Sequence, residues 1–180
     1  HYDRPAEYFE EALVIGNGTM GATLYGGVKK DKISFNDITL WTGEPESENS
    51  SPDAFNTIPE IRALLDNEDY QGADKAQYKV QGHYSENYQP LGTLTIEYLD
   101  DTAGISDYHR WLDIGNATAR TQYLKDGKLF TSDYFASAPD SVIVIRLKSE
   151  NKEGIHASLS FDSPLPHSSQ VADNETSVEG

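Results

Sequence analysis

Apolar and polar residues alternate along three stretches in the second half of this chain, and this alternation restricts the fold more than any other pattern. A side chain that points inward at every second position is typical of a strand with one face buried and the other in solvent. The inward positions are Leu94, Ile96 and Tyr98, then Ala117, Ala119, Thr121 and Tyr123, and finally Ile155, Ala157, Leu159 and Phe161. These stretches therefore predict half-buried antiparallel strands.

Two further signals refine this half of the chain. Asp126-Gly127 separates two strand-like runs, and because Asp and Gly both tolerate the positive φ angles of a type I′ turn, the pair predicts a tight hairpin. The run Val142-Ile143-Val144-Ile145 is apolar on both faces and predicts a strand central in its sheet. From Pro164 onward the sequence is polar and shows no period, so no element is predicted there.

The first part of the chain predicts more strands and then helices. Short apolar runs separated by glycines fill residues 11–40, a pattern typical of strands, whereas residues 42–56 are rich in Gly, Pro, Ser and Glu and predict an exposed loop. Thr57, Pro59 and Glu60 then match a capping box with proline in the first turn, so a helix is predicted to begin at Thr57. Its apolar face is Ile58, Ile61, Leu64 and Leu65.

A second helix is predicted from about Tyr70 to Val80. Its apolar stripe consists of Ala73, Ala76 and Val80, and Gly82 is expected to end it. Nine or ten short strands around one helical insertion at about 57–81 predict a mainly β fold, an antiparallel β-sandwich, rather than alternating β and α elements. The length suits one domain over 1–180.

Charge excludes several classes of partner. The chain has 14 Lys and Arg against 30 Asp and Glu, for a net charge of −16, whereas nucleic acids and anionic membranes are bound by basic surfaces. No apolar run approaches the roughly 18 residues of a membrane span, so no membrane insertion is expected.

The chain starts at His1 and its only methionine is Met20, so we expect that a leader or upstream sequence was removed. Without cysteine it has no disulfide and no thiol nucleophile.

Several candidate motifs favour structural explanations. The run from Gly16 to Gly21 matches G-x-G-x-x-G, but the β-rich sequence after it does not open the helix that a nucleotide site needs, so it predicts a tight turn between strands. The five histidines show no metal-binding spacing, and no cofactor or metal is expected. Carboxylates are closely spaced in the sequence at three places, which are Glu10-Glu11, Glu44 with Glu46 and Glu48, and Asp100-Asp101. A solvated acidic surface is favoured over a catalytic pair for these groups.

Aromatic residues beside polar groups mark the candidate site. Trp41 precedes a loop that contains Glu44, and Tyr88-Gln89 joins the helices to the next strand. Sugar sites use such rings together with carboxylates and amides, but Trp41 also ends an apolar strand. An interface or core position for Trp41 is therefore favoured over direct sugar contact.

Blocks along the chain resemble glycoside hydrolase family 95, the inverting α-L-fucosidase family. The blocks occur in family order over roughly residues 7–165. They are EALVIGNGTMGA with GGV (11–22 and 26–28), NDITLWTG (36–43), PEIRALL (59–65), YQPLGTL (88–94), DYHRWLD (107–113) and FASAPDSVIVIRL (135–147). The departures are Val14 for a usual proline, Thr19-Met20 for a basic residue plus leucine, and Ser132-Asp133 for Arg-Glu. These leave the fold expectation intact and leave subfamily and substrate open.

The resemblance implies an N-terminal, supersandwich-like β-sandwich that precedes an (α/α)₆ barrel. In the family the catalytic acid, the base and the asparagines that orient water lie in that barrel, so no catalytic residue is assigned in 1–180, and this chain alone is expected to be inactive. The implied partners are the barrel of the same parent chain and a fucosylated glycan as the parent's substrate. The domain is expected to be cut short at its C-terminal end, and the protein is expected to be secreted or periplasmic, in a bacterium.

Within that resemblance, the candidate residues for contacting substrate or the barrel are Trp41, Glu44, Tyr88 and Gln89. Two alternatives stay open. One is an independent carbohydrate-binding module with an exposed aromatic platform. The other is the same domain from an enzyme that acts on another sugar, such as α-L-galactosides.

Overall fold

The computed structural model describes residues 1–43, 54–82 and 86–179. The chain forms two compact units, the first made of His1–Leu40 with Gln89–Gly180 and the second of Trp41–Tyr88. The strands are β1 (Leu13–Gly16), β2 (Met20–Leu24), β3 (Lys30–Asp37), β4 (Gly92–Tyr98), β5 (Ile105–Asp113), β6 (Thr118–Lys125), β7 (Lys128–Ser137), β8 (Val142–Ser149), β9 (Ala157–Asp162), β10 (Ser168–Ala172) and β11 (Glu175–Glu179). The helices are a short 3₁₀ turn (Phe9–Glu11), α1 (Ala54–Asp66) and α2 (Tyr70–Gln77).

Two antiparallel sheets build the first unit. One has the order β1-β2-β3-β4-β9 and the other the order β5-β6-β7-β8. The core between them contains residues from both sheets, among them Leu24, Ile33 and Ile96 from the first and Ala119 and Tyr134 from the second. The mainly β, antiparallel sandwich predicted from the alternation is confirmed.

The turns between these strands follow the glycine and asparagine signals. Asp126 and Gly127 have φ angles of 50° and 73°, and Lys125 pairs with Lys128 across them, so the predicted two-residue hairpin is confirmed. The loop from Gly16 to Met20 is closed by Asn17, whose Oδ1 accepts the N–H groups of Thr19 and Met20 at 3.0 and 2.8 Å. Gly18 has a φ of 94° there, which explains the glycines as turn residues.

Two strand predictions in the first unit are wrong. The run 142–145 lies in β8, which is the edge of its sheet and pairs with β7 alone among the described strands. Ile143, Val144 and Ile145 are each partly buried although β8 is at the edge, and Val142 is 43% exposed. Ala117 has a φ of 52° and belongs to the turn before β6 rather than to the strand.

The segment after Pro164 is also not structureless. Strands β10 and β11 form a hairpin from Ser168 paired with Glu179 to Ala172 paired with Glu175. All ten of its strand residues are exposed. Because no apolar face of the hairpin is buried, an alternation of apolar and polar residues could not predict it. Strand hydrogen bonds around the Asp173 turn, which has a φ of 51°, define this hairpin instead.

The second unit contains the two helices, and their ends differ from the prediction. Helix α1 already extends from Ala54, so Thr57 is a buried interior residue and not the cap, and Pro59 lies inside the helix. Proline favours the first turn of a helix, but Pro59 is the sixth residue of α1, where it has no N–H group to bond the carbonyl four residues earlier. On the predicted face, Ile58 and Leu65 are 40% and 46% exposed.

Helix α2 is shorter than predicted but keeps its stripe. It ends at Gln77, whereas Ala73 and Ala76 are buried as expected. The Asp69 side chain caps it by accepting the N–H of Gly72 at 2.9 Å. Among the described residues, neither helix is both long and apolar enough to cross a bilayer.

A buried carboxylate connects the two sheets of the first unit. Asp31 of β3 is 1% exposed, and its Oδ2 accepts a 2.7 Å hydrogen bond from the hydroxyl of Tyr134 on β7. Its Oδ1 accepts the backbone N–H of Gly27 at 2.9 Å. Both oxygens of this buried group therefore have a donor, as a buried carboxylate requires.

Arg110 of β5 fastens the N-terminal segment to the sandwich. It is 1% exposed, and its Nε and Nη1 donate to the carbonyl oxygens of Arg4 and Glu11 at 2.8 and 2.7 Å. The Tyr2 ring lies 4.1 Å from its guanidinium carbon, within cation–π range. The start of the chain is thus part of the folded unit.

The Tyr134→Phe substitution tests the inter-sheet hydrogen bond. Because it removes the donor to a buried carboxylate, we expect the free energy of unfolding to fall by about 1–3 kcal/mol. Urea denaturation measures this, with Tyr8→Phe as the matched control. Tyr8 is 64% exposed, so its change should stay within about 0.5 kcal/mol. Equal effects of the two substitutions would contradict the importance of this bond.

Asp31 also predicts a pH dependence. Burial raises the pKa of Asp31 above its ordinary 3.8, although the hydrogen bonds from Tyr134 and Gly27 act in the opposite direction. A carboxyl group whose pKa is higher in the folded chain loses its stabilising contribution as pH rises from the unfolded value toward the folded one. The free energy of unfolding of Asp31→Asn relative to the unsubstituted chain should therefore increase as pH rises above about 4, the ordinary pKa of the carboxyl group. A difference independent of pH would contradict the raised pKa.

Candidate functional site

Trp41 and Tyr88 lie at the two ends of the second unit and meet there. They form an isolated antiparallel bridge, and their rings pack edge to face with centroids 5.3 Å apart at 73°. An edge-to-face pair is a favourable arrangement of aromatic quadrupoles. Two residues that are 47 positions apart in sequence therefore form one aromatic pair.

A hydrogen-bond network supports the aromatic pair. The Thr42 hydroxyl donates to Glu86 Oε2 at 2.6 Å and accepts the N–H of Asn87 at 2.9 Å. The Thr42 N–H in turn donates to the Asn87 carbonyl at 2.9 Å. Gly43 follows with a φ of 73°, and a Cβ there would collide with the Glu86 carboxylate. This close approach explains why a glycine follows Thr42.

Exposure decides how the pair is interpreted. Trp41 is 53% exposed and Tyr88 is 40% exposed, so the suggestion that Trp41 is simply a core residue is wrong. Two half-exposed rings beside the Glu86 carboxylate can stack on the apolar face of a sugar or pack against another protein surface. The assignment of these residues to substrate or barrel contact stays a prediction.

The other two predicted site residues, Glu44 and Gln89, are not part of the aromatic pair. Glu44 lies outside the described residues. Gln89 belongs to the first unit, where it is partly buried and its backbone N–H donates to the Leu40 carbonyl at 3.0 Å. The structure thus brings Trp41 and Tyr88 together and places Gln89 as the residue that continues the chain into the sandwich.

Sequence reasoning missed a second cluster, on the outer face of the four-stranded sheet. Trp111 of β5 pairs with Arg120 of β6, Arg120 pairs with Asp133 of β7, and Asp133 pairs with Arg146 of β8. These four residues form one line across the sheet, which we call the outer row. Inward residues such as Ala119 and Tyr134 alternate with it along the strands.

Asp133 is the centre of the outer row. It is only 6% exposed although it faces away from the core, because the arginines on both sides cover it. Arg120 donates through Nε to Oδ1, and Arg146 donates through Nε and Nη2 to Oδ2 at 3.1 and 2.6 Å. Burial alone would raise the pKa of Asp133, but these two arginines outweigh it and hold the pKa below its usual value.

The outer row could be recognised only from the strand register. Its members are 9 to 13 positions apart in sequence and belong to four different strands. The signal available was indirect: Arg120 occupies an outward position in the strand predicted from Ala119, Thr121 and Tyr123. Which residue faces which depends on the hairpin lengths, and periodicity does not give these.

Within residues 1–43, 54–82 and 86–179, no group of three or more His, Asp or Glu side chains is arranged to hold a metal ion. The two carboxylates buried there are both engaged, Asp31 by Tyr134 and Asp133 by the arginines.

Comparison with known proteins identifies similar sequences. "Alpha-L-fucosidase 2" of Arabidopsis thaliana is 33% identical over 169 residues, which are 93% of this chain and 20% of that protein. "Probable alpha-fucosidase A" of Aspergillus oryzae is 28% identical over 77% of the chain, and the protein of that name from Aspergillus niger is 28% identical over 83%. The chain spans about a fifth of the length of each of these relatives.

The match to a protein family extends further along the chain than any of these alignments. The model described as "Glycosyl hydrolase family 65, N-terminal domain" matches residues 1–180. The sandwich, its helical insertion and the terminal hairpin all fall inside that match. The chain therefore belongs to the glycosyl hydrolase family 65 N-terminal domain family.

Proposed function

We propose that this chain is the non-catalytic N-terminal domain of an inverting α-L-fucosidase of glycoside hydrolase family 95, and that it packs against and supports a catalytic barrel. The observation that carries the proposal is the alignment of 93% of the chain with one fifth of a protein named alpha-L-fucosidase 2. The remaining four fifths of that relative have no counterpart in these 180 residues and would provide the barrel.

The family 95 assignment rests on the ordered sequence blocks described above. The local geometry agrees with three of these blocks. The block around Gly16 to Gly21 forms the Asn17-closed turn, and the block that ends at Trp41 and Gly43 meets the block that begins at Tyr88. The residues of these blocks form turns and contacts that stabilise the domain and its second unit. They contain none of the family's catalytic positions.

The positions of the buried carboxylates support a non-catalytic role. An inverting glycosidase needs a general acid and a general base that face each other across the sugar, about 6.5–9.5 Å apart. Asp31 points between the two sheets, whereas Asp133 lies on the outer face of one of them. Because each also has its own hydrogen-bond partners, neither is available to protonate a leaving group or activate water.

In this proposal the Trp41–Tyr88 pair contacts the barrel. Partly exposed aromatic rings on a hydrogen-bonded support are typical anchors of interfaces between proteins or domains. The substrates would be exported or host fucosylated glycans, so the proposed compartment is secreted or periplasmic. An independent carbohydrate-binding module is the second candidate, and the exposure of this aromatic pair is the observation that favours it.

Hydrolysis of a 2′-fucosylated oligosaccharide tests the proposal. We expect the longer parent protein to release fucose with inversion of the anomeric configuration and the 180-residue chain to release none, because acid and base would both lie in the barrel. Proton NMR during the first minutes of reaction identifies the anomer. Fucose release by the 180-residue chain alone would contradict the proposal, and retention of configuration would contradict the family 95 mechanism.

Trp41→Ala separates packing from sugar binding. If Trp41 anchors a domain interface, truncation should destabilise the parent by about 2 kcal/mol and leave the isolated chain nearly unchanged. Thermal unfolding of both proteins measures this. Tyr78→Ala is the control, because Tyr78 is 61% exposed in the same unit. A parent with unchanged stability but weaker binding of fucosylated glycans would favour the carbohydrate-binding alternative.

A further inference from the structure

The outer face of the four-stranded sheet carries a second line of polar residues beside the outer row. His109 of β5 pairs with Gln122 of β6, and Gln122 pairs with Thr131 of β7, which pairs with Lys148 of β8. Each member lies two positions along its strand from a member of the outer row, so both lines share one face of the sheet. We call this line the polar row.

The arginines of the outer row are held in place while part of each guanidinium remains available. The bonds to Asp133 use Nε of Arg120 together with Nε and Nη2 of Arg146. The terminal nitrogens of Arg120 and the Nη1 of Arg146 are not engaged by this carboxylate. Both side chains are still substantially exposed, at 41% and 54%. The sheet therefore presents fixed guanidinium donors to solvent. A ligand that binds them would restrict these side chains little further, so the loss of side-chain entropy on binding would be small.

Trp111 provides an aromatic surface at the β5 end of the same row. The guanidinium carbon of Arg120 lies 5.8 Å from the centre of its ring. An open depression of about 430 Å³ adjoins it, lined by His1, His109, Trp111, Leu112 and Gln122. An indole, an amide and an imidazole around one depression are groups that recognise the faces and hydroxyls of a sugar.

Within the outer row and the polar row, the charge is opposite to that of the chain. The outer and polar rows together contain the cations Arg120, Arg146 and Lys148 and one carboxylate, Asp133. The whole chain has a net charge of −16. A local excess of cations on so acidic a protein attracts anions.

We propose that the outer row and the polar row form a binding site for a carboxylate-bearing saccharide, such as a chain of uronic acids. Trp111 stacks on a sugar ring, Gln122 and His109 bond its hydroxyls, and the free nitrogens of Arg120 and Arg146 bind the carboxylate. Planar guanidinium groups match a carboxylate in geometry as well as in charge. The inference uses the proposed function only for the choice of a sugar as ligand.

Tryptophan fluorescence tests the site directly, because the chain has two tryptophans. In the Trp41→Phe variant of the full 180-residue chain, Trp111 is the only reporter. We expect a saturable change in emission on titration with a tetramer of galacturonic acid, and at least about tenfold weaker binding of the methyl-esterified tetramer, in which the same sugars lack charge. Raising NaCl from about 50 to 300 mM should weaken binding of the acid form.

Substitutions assign the binding to the two rows. Arg146→Gln should weaken binding of the acid tetramer about tenfold, and Lys148→Gln should weaken it severalfold. Lys32→Gln is the matched control, because Lys32 is an exposed cation on the outer side of the other sheet, and its affinity should be unchanged. Thermal unfolding of each variant confirms that it is folded. The side-chain bonds to Asp133 come from Arg120 and Arg146, and Lys148 is not among these donors. The Lys148→Gln variant therefore keeps the test valid if Arg146→Gln is unstable.

Three results would overturn the inference: no saturable change in Trp111 emission, equal binding of the acid and its methyl ester, or equal affinities of Arg146→Gln, Lys148→Gln and Lys32→Gln. Each of them leaves the proposed accessory role intact, because that role is measured through fucose release by the parent. Conversely, a parent that fails to release fucose would not change the binding expected here.

Discussion

The hydrogen bond from Tyr134 to Asp31 is the interaction on which the sandwich depends. It joins β3 of one sheet to β7 of the other in the middle of the core, where an unpaired carboxylate would be costly. The Gly27 N–H satisfies the second oxygen, so the loop before β3 is fixed by the same group. Polar pairs of this kind restrict how two apolar faces can slide over each other, and apolar contacts such as those of Ile33 and Ile96 do not.

That restriction extends to the surfaces of the molecule. Since Tyr134 faces inward, its neighbour Asp133 must face outward, where the register of the sheet places it between Arg120 and Arg146. Arg110 has a comparable role on β5, where it bonds the carbonyls of the N-terminal segment and faces away from Trp111. The core thus determines which side chains the outer face can present.

The sequence predicted the parts of this fold that depend on local chemistry. Alternation at Leu94, Ile96 and Tyr98 identified β4, and Asp126-Gly127 identified the β6–β7 hairpin, since both signals lie within a few residues. The start of α1 was misplaced because Thr57 and Pro59 imitate a capping box inside a helix that begins at Ala54.

Non-local features were not predictable in this way. The edge position of β8 depends on which strands pair with it, and the β10–β11 hairpin is exposed along its whole length. The same distinction between local and non-local features applies to the candidate site. Trp41 and Tyr88 were recognised as aromatic residues near polar groups, whereas their exposure, their edge-to-face contact and the outer row required the structure.

Reconstitution of the parent from two pieces tests whether this domain supports a catalytic barrel without taking part in the chemistry, as we propose. The barrel-containing remainder would be produced without residues 1–180, and its release of fucose and its thermal unfolding would be measured before and after addition of the separate 180-residue chain. The account predicts that the remainder alone is unstable and weakly active, and that the added chain restores both properties while releasing no fucose by itself. A remainder that is fully stable and active alone would contradict the supporting role.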